Sequence, residues 1–294
     1  MPREVIAKSV LNKKKRRDPW FLDNYTFNPY SGCAFACLYC YIRGSKYGLN
    51  MEETLSAKVN AIELLDKALA LRAKKGEYGF IVVSSATDPY LKLEESYELT
   101  RRALQSILKY RFPVHIITKS DLVKRDFDIL KEIDKKAILP DDLEEVGRRA
   151  IITFSFSSLD DSVNKVFEPG ATPPSQRLEA LKSSKENDFL TGVSLMPLLP
   201  YITDTTQSLE HFFSVFSSVP IDYIFPASLT LFGSGRADSK TLMLNAIDKH
   251  YPELTEKYQK LFGNSDQLPF YYRNAFNKKM NQLCESYQIK NRLI

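Results

Sequence analysis

The chain has 294 residues, 44% of them hydrophobic, with 41 basic and 36 acidic side chains and a formal net charge of +5. It contains no run of about 18 apolar residues and no apolar stretch behind its basic N-terminus of the kind a signal peptide needs. A membrane span is excluded, and a cytoplasmic protein with no membrane partner is expected. Four cysteines in a chain this long also exclude a disulfide framework.

In chain order, residues 1–20 form a basic N-terminal segment. Arg3, Lys8, Lys13, Lys14, Lys15, Arg16 and Arg17 stand there against Glu4 and Asp18, which leaves 34 basic and 34 acidic residues elsewhere. The run 13–17 reads either as a solvated tail or as an arm for nucleic-acid phosphates. Next, the segment from Asn28 to Tyr41 holds Cys33, Cys37 and Cys40, a CxxxCxxC cluster containing three of the four cysteines. Thiolates this close together are soft ligands for zinc or for iron and sulfide. Three of them fill three of the four iron positions of a cubane and leave one iron open. A closed zinc site needs a fourth ligand from Cys284, His115, His211 or His250, none at zinc-finger spacing. Idle buried thiols are the remaining reading.

Beyond the cysteines, β-branched apolar runs predict strands over 79–86, 113–118, 150–157, 189–196 and 221–229, after a first strand just before Cys33. Helical period over 53–74, 94–110, 122–135, 175–187 and 206–219 links them. Asp121 is the expected cap of the third helix, and Pro173 with Pro174 stops the chain before the fourth. Strands that return in one direction through helices make a parallel sheet. The expected fold class is therefore α/β, an open or partial (β/α)6 barrel over 21–235 with a mainly helical C-terminal extension over 236–294. Residues 138–149 read as an exposed acidic loop. Phe270, Tyr271, Tyr272, Arg273, Phe276, Lys278 and Lys279 interleave aromatics with bases, either as a stacking surface or as an amphipathic helix docked on the core. Cys284 reads as a small core residue. Polar residues fall at the carboxyl ends of the strands, where barrels of this type keep their chemistry. They are Ser84, Ser85, Thr87 and Asp88, then Lys119 and Ser120, then Ser155, Ser157 and Ser158.

Several ordered motifs carry a family resemblance: Tyr25-Thr-Phe-Asn28-Pro-Tyr-Ser-Gly-Cys33, Cys40-Tyr41, Thr87-Asp88-Pro-Tyr90, Thr118-Lys119-Ser120, Glu168-Pro-Gly-Ala171, the segment 177–181 opening on Arg177, and Met196-Pro-Leu-Leu-Pro200. Across roughly residues 24–235 the chain resembles the spore photoproduct lyase-like, or DNA repair photolyase-like, branch of the radical S-adenosylmethionine (radical SAM) proteins. The resemblance implies a six-stranded partial barrel core and a [4Fe-4S] cluster on Cys33, Cys37 and Cys40. It implies reductive cleavage of SAM to a 5'-deoxyadenosyl radical that abstracts hydrogen from a substrate. By the same resemblance Tyr39 lies against the adenine of SAM and Lys119 pairs with its carboxylate. Ser85, Thr87 and Ser155 are candidate hydroxyl donors to the ribose or methionine part. Asp88 is a candidate acceptor for the SAM ammonium, Arg177 a candidate balance for a carboxylate in the site, and Tyr41 a candidate hydrogen relay. The implied partners are a flavodoxin- or ferredoxin-type reductant and a nucleic-acid substrate, in lyase-like DNA repair chemistry. The competing class is a non-catalytic iron-sulfur or zinc protein that binds nucleic acid. The branch's named member carries a hydrogen-donor cysteine just after strand two, where this chain reads Ser84-Ser85-Ala86-Thr87-Asp88. A serine O–H bond is too strong to replace that thiol, so thymine-dimer reversal by that route is not expected.

Overall fold

Apolar, β-branched runs pair side by side where helices can cover both faces, and the computed structural model, which describes residues 3–44 and 55–294, has this arrangement. In chain order the elements are β1 (Arg3–Val5), β2 (Leu11–Lys13), β3 (Tyr25–Phe27), β4 (Tyr30–Ser31), β5 (Ser56–Lys58), α1 (Ala61–Lys74), β6 (Ile81–Val83), α2 (Glu94–Tyr97), α3 (Leu99–Lys109), β7 (Val114–Thr118), α4 (Phe127–Lys136), β8 (Ala150–Phe156), α5 (Asp161–Phe167), α6 (Pro174–Glu186), β9 (Leu190–Leu198), α7 (Thr206–Ser218), β10 (Tyr223–Ser228), α8 (Ser239–His250), α9 (Thr255–Phe262) and α10 (Phe270–Ser286). The main sheet has the order β10-β9-β8-β7-β6-β3-β2. From β3 to β10 the neighbours are parallel, and β2 closes the edge antiparallel to β3. This is the six-stranded α/β arrangement with a helical extension that the sequence implies. A small second sheet, β1-β5-β4, leads directly into the cysteine loop.

Side chains on a strand alternate between faces, and β8 shows what each face meets. Ala150, Ile152, Phe154 and Phe156 enter the core under the helices, with Leu65 of α1, Leu104 of α3, Leu130 of α4 and Phe213 of α7. Ile151 instead joins Leu22, Phe80, Leu143, Tyr223 and Phe225, a plug at the amino ends of the strands. Trp20 stacks on Phe225 there, with ring centroids 5.2 Å apart.

Several sequence expectations change. Helix α1 begins at Ala61, because Ser56–Lys58 is drawn into a strand by pairing with both β1 and β4; the start of the expected helix, at Glu53, lies outside the described residues. The helix expected over 94–110 breaks at Glu98, which has a φ of 48°. The Glu94 carboxylate causes the break by accepting the N–H groups of Thr100 and Arg101, at 2.8 and 3.1 Å, as a cap for α3. Ser120, not Asp121, caps the next turn by accepting the Leu122 N–H at 3.2 Å. Residues 138–149 expose the acidic side chains of Asp141, Asp142, Glu144 and Glu145 as expected, but 141–146 form a 3-10 turn whose Leu143 is fully buried in the plug. The basic N-terminal segment is not a free tail. It pairs as β1 and β2, and Lys13, Lys14 and Arg17 form ion pairs with Glu77, Asp23 and Asp142. The aromatic stretch opens α10, an amphipathic helix docked on the core through Phe276, Met280, Leu283 and Cys284, with Phe270 and Tyr271 exposed.

His115 of β7 lies wholly buried beside the plug. Its Nδ1 is 2.8 Å from the Phe21 carbonyl oxygen and its Nε2 is 2.5 Å from the Thr153 hydroxyl. A carbonyl only accepts, so Nδ1 carries the proton and Nε2 accepts from Thr153. Burial holds the imidazole pKa down, from the ordinary 6.5 to about 4. Between those values the unfolded chain binds a proton that the folded chain refuses, so this contribution is complete above pH 6.5 and is lost as pH falls towards 4. Urea unfolding is expected to show a loss of up to about 3 kcal/mol across that window, relative to a His115→Asn variant that lacks the titrating ring. Equal pH slopes for the two proteins would refute a neutral His115.

Candidate active site

The cysteine loop starts where β4 ends, through Gly32 with a φ of 75°, a left-handed conformation that needs no strain in glycine. Successive tight turns follow. The N–H groups of Ala36, Cys40 and Arg43 donate to the carbonyls of Cys33, Cys37 and Cys40. Arg43 Nε also donates to the Cys37 carbonyl, at 3.1 Å. The loop is then held from outside by residues 167–170. Leu38 N–H donates to the Phe167 carbonyl at 2.9 Å, and Gly170 N–H donates to the Phe35 carbonyl at 3.0 Å. A Cβ at Gly170 would stand 2.1 Å from the Ala34 carbonyl oxygen, so only glycine permits this approach.

Beneath the loop lies a fully buried ion pair between Glu168 and Arg177. The Tyr39 hydroxyl donates to Glu168 Oε1, and the Ser157 hydroxyl donates to the same oxygen at 2.7 Å. The Arg177 guanidinium donates to Glu168 Oε2 and Asn164 Oδ1. It also donates to the carbonyls of Thr172 and Ser155, at 2.7 and 2.6 Å. Burial alone would raise the Glu168 pKa, but Arg177, Lys119 and the two hydroxyl donors outweigh it and hold the carboxyl below its ordinary value. A second clasp stands across the site. Asp88 is buried and accepts from Tyr90 N–H at 2.9 Å, the Thr118 hydroxyl at 2.8 Å and Lys119 N–H at 2.7 Å. It ties the turn after β6 to the end of β7.

The structure therefore separates the expected SAM contacts into two groups. Tyr39, Asp88 and Arg177 are turned into the protein with their polar atoms engaged as supports of the loop and rims, Arg177 balancing the carboxylate of Glu168. Thr87 joins them, because its hydroxyl donates to the Gly32 carbonyl at 2.6 Å. Lys119 is different. Its Nζ lies 5.9 Å over the Tyr39 ring and makes no hydrogen bond or ion pair among the described residues. Burial pulls its pKa down, yet Glu168, Cys37 and Asp88 outweigh that and keep the ammonium charged. The Ser155 hydroxyl also lacks a hydrogen-bond partner among the described residues. Ser85 is exposed, and its carbonyl accepts the Tyr41 hydroxyl at 2.5 Å. Sequence reasoning named two further residues without giving them a role in the site. Glu168 was visible only as part of its Pro-Gly motif. Ser84, at the tip of β6, has a φ of 63° and a buried hydroxyl with no partner, a combination that marks functional strain.

Cys33, Cys37 and Cys40 sit on successive turns of one loop, a donor set of the kind that thiolate-held clusters use. The expected fourth zinc ligands are placed elsewhere: Cys284 in the helix-covered core, His115 beside the plug, and His211 and His250 on α7 and α8. Burial pushes the Cys33 thiol up to about 11, with nearby Asp88 adding to the shift. Burial and Glu168 push the Cys37 thiol up as well, against the pull of Lys119. Metal binding must therefore displace protons from these thiols.

A family model described as the Radical SAM superfamily matches residues 27–213, and the chain belongs to that family. It is 31% identical over 195 residues to an uncharacterized protein of Methanocaldococcus jannaschii, covering 64% of this chain and 68% of that one. It is 21% identical over 252 residues, 84% of this chain and 47% of the other, to a Pseudomonas phage M6 protein named radical SAM Nalpha-GlyT isomerase. The fold matches that of a spore photoproduct lyase mutant solved with bound AdoMet and dinucleoside spore photoproduct, with a TM-score of 0.62 at 15% identity over 92% of this chain and 76% of that one.

Replacing Arg177 by Met leaves Glu168 as a buried, uncompensated charge, which is expected to cost about 3–5 kcal/mol in chemical unfolding. Adding Glu168→Gln to that variant should restore part of the loss. An additive double variant would mean that the two residues do not act as a pair.

Proposed function

We propose that Cys33, Cys37 and Cys40 hold a [4Fe-4S] cluster, that SAM binds beside it, and that the enzyme abstracts hydrogen from a nucleic acid. The setting is the cytoplasm, with electrons from a flavodoxin- or ferredoxin-type donor. Residues 21–235 serve as the catalytic domain, with 1–20 paired to its edge and 236–294 as the helical extension. The observation that carries this reading is a clamped three-cysteine loop facing the unengaged ammonium of Lys119 at the carboxyl ends of parallel strands. When bound, cluster and SAM together would supply a carbon radical able to take hydrogen from a C–H bond.

The chain's own residues do the rest. Lys119 neutralises a carboxylate in a site that water reaches poorly. Ser155 and Ser84 offer hydroxyls from the ends of β8 and β6. Phe35, Tyr39, Phe167 and Leu199 pack around Cys37 and screen the loop from solvent. With no thiol in the turn after β6, Tyr41 is the proposed hydrogen relay. Its residue is 60% exposed beside Cys40, and a phenol O–H is weak enough to give up hydrogen.

The substrate reading draws on two similar proteins, the spore photoproduct lyase solved with a dinucleoside photoproduct and the phage M6 protein named for a GlyT isomerase. Lyase-like chemistry on DNA is part of the proposal.

After anaerobic reconstitution with iron and sulfide, dithionite and SAM should yield 5'-deoxyadenosine from the wild type and none from Cys37→Ala. Lys119→Ala should keep its cluster but need about 10- to 100-fold more SAM for half-maximal cleavage. Undiminished cleavage by Cys37→Ala would rule out the proposed cluster site.

A further inference from the structure

We infer that the face formed by the turn after β9 and the start of α10 is a docking surface for an unpaired nucleic-acid strand. The inference rests on the nucleic-acid reading above and adds where such a substrate is held. Clustered aromatics facing solvent mark interaction surfaces. Phe270 and Tyr271 are 70% and 69% exposed, and Tyr201 is 39% exposed. The rings of Tyr201, Tyr272 and Tyr271 form one strip, with Phe270 next to it at the start of α10. Tyr201 meets Tyr272 edge-on at 6.0 Å, and Tyr272 neighbours Tyr271 at 6.5 Å.

The strip is fixed by its own hydrogen bonds. Tyr201 has a φ of 63°, a conformation a bulky residue keeps only where its surroundings impose it. Asp204 imposes it by accepting the Tyr201 N–H and the Tyr272 hydroxyl, each at 2.7 Å. The backbone of Tyr201 and the ring of Tyr272 are thereby held in place.

Positive charge borders the rings. Lys257 Nζ lies 4.9 Å over the Tyr201 ring. Arg273 lines a 690 Å³ cavity with Lys260 and Phe270, and its buried Nε has no hydrogen-bond partner. Of the acidic groups here, Asp204 is engaged as described, and Asp266, which also lines the cavity, lies 3.8 Å from Lys240 Nζ. Open π faces beside cations are what a single strand requires, stacking for bases and neutralisation for phosphates. A duplex offers no free base faces. Tyr201 follows the carboxyl end of β9, and the neighbouring Leu199 and Tyr258 share one apolar cluster with Cys37 and Tyr39. A strand lying here would therefore run towards the cysteine loop.

The test is fluorescence anisotropy of the reconstituted protein with labelled oligothymidine and oligouridine strands of about 12 nucleotides, and with a duplex of equal length. Single strands should bind more tightly than the duplex, the two arms showing whether DNA or RNA is preferred. Phe270→Ala with Tyr271→Ala should weaken binding about 10-fold or more, whereas Tyr271→Phe, which keeps the ring, should retain affinity. Arg273→Gln should reduce the slope of log affinity against log salt by about 0.7. If the wild type binds strands and the double alanine variant binds them as tightly, the surface is wrong while the nucleic-acid reading stands. If the wild type binds no strand, both fall. A preference for the duplex, or equal displacement by poly-glutamate, would also overturn the surface by showing capture through charge alone.

Discussion

A carboxylate and a guanidinium shut away from water, those of Glu168 and Arg177, hold the rest of the site in place. Each charge alone would be costly to bury. Together with Tyr39, Ser157, Asn164 and the carbonyls of Ser155 and Thr172 they satisfy one another. The partners come from the cysteine loop, β8, α5 and the segment that leads into α6. One network therefore fixes how a loop of little regular structure sits on the barrel. Any displacement of the loop would break hydrogen bonds to buried charge, and this makes its position steeply defined. A cysteine trio on a free loop would have to be ordered by the metal itself, whereas here much of that ordering belongs to the fold.

Labour in the site is divided accordingly. Asp88 locks the rims of β6 and β7 together much as Glu168 locks the loop, and both use their oxygens on protein donors. Lys119, Ser84 and Ser155 are held by these supports but keep polar atoms unengaged. Charge is arranged in the same sense: the Lys119 ammonium faces Cys37 and Glu168, where it moderates a strongly desolvated thiol and stays protonated. The C-terminal helices complete the enclosure, since Tyr258 and Phe262 of α9 and Met243 of α8 pack in the cluster that contains Cys37 and Tyr39.

Much of the barrel was legible in the sequence, for a physical reason. β8 is buried on both faces and so reads as a nearly continuous run of β-branched and aromatic residues, broken only at Ser155 and bounded by helical periodicity. Elements that depend on distant partners were not legible. Ser56–Lys58 becomes a strand only through β1 and β4, and the docking of the basic segment rests on carboxylates at Glu77, Asp23 and Asp142. The same limit governs the site. Residue type and strand-end position place Asp88, Thr87 and Tyr39 near the chemistry, but they do not say whether a polar group points at a ligand or at a neighbouring strand. Arg177 shows this most clearly. Its type and place suit it to balance a carboxylate in the site, but that the carboxylate is Glu168 and that the pair is fully buried follow only from the fold.

The central claim is that this supported loop presents three thiolates to a cubane and leaves one iron for SAM. Electron paramagnetic resonance of the reduced, reconstituted protein, recorded with and without SAM and paired with iron and sulfide analysis, addresses it directly. About four irons and four sulfides per chain, with a spectrum that changes on adding SAM, are expected. A single zinc or iron per chain without sulfide, or a cluster spectrum indifferent to SAM, would show that the loop serves a closed structural site.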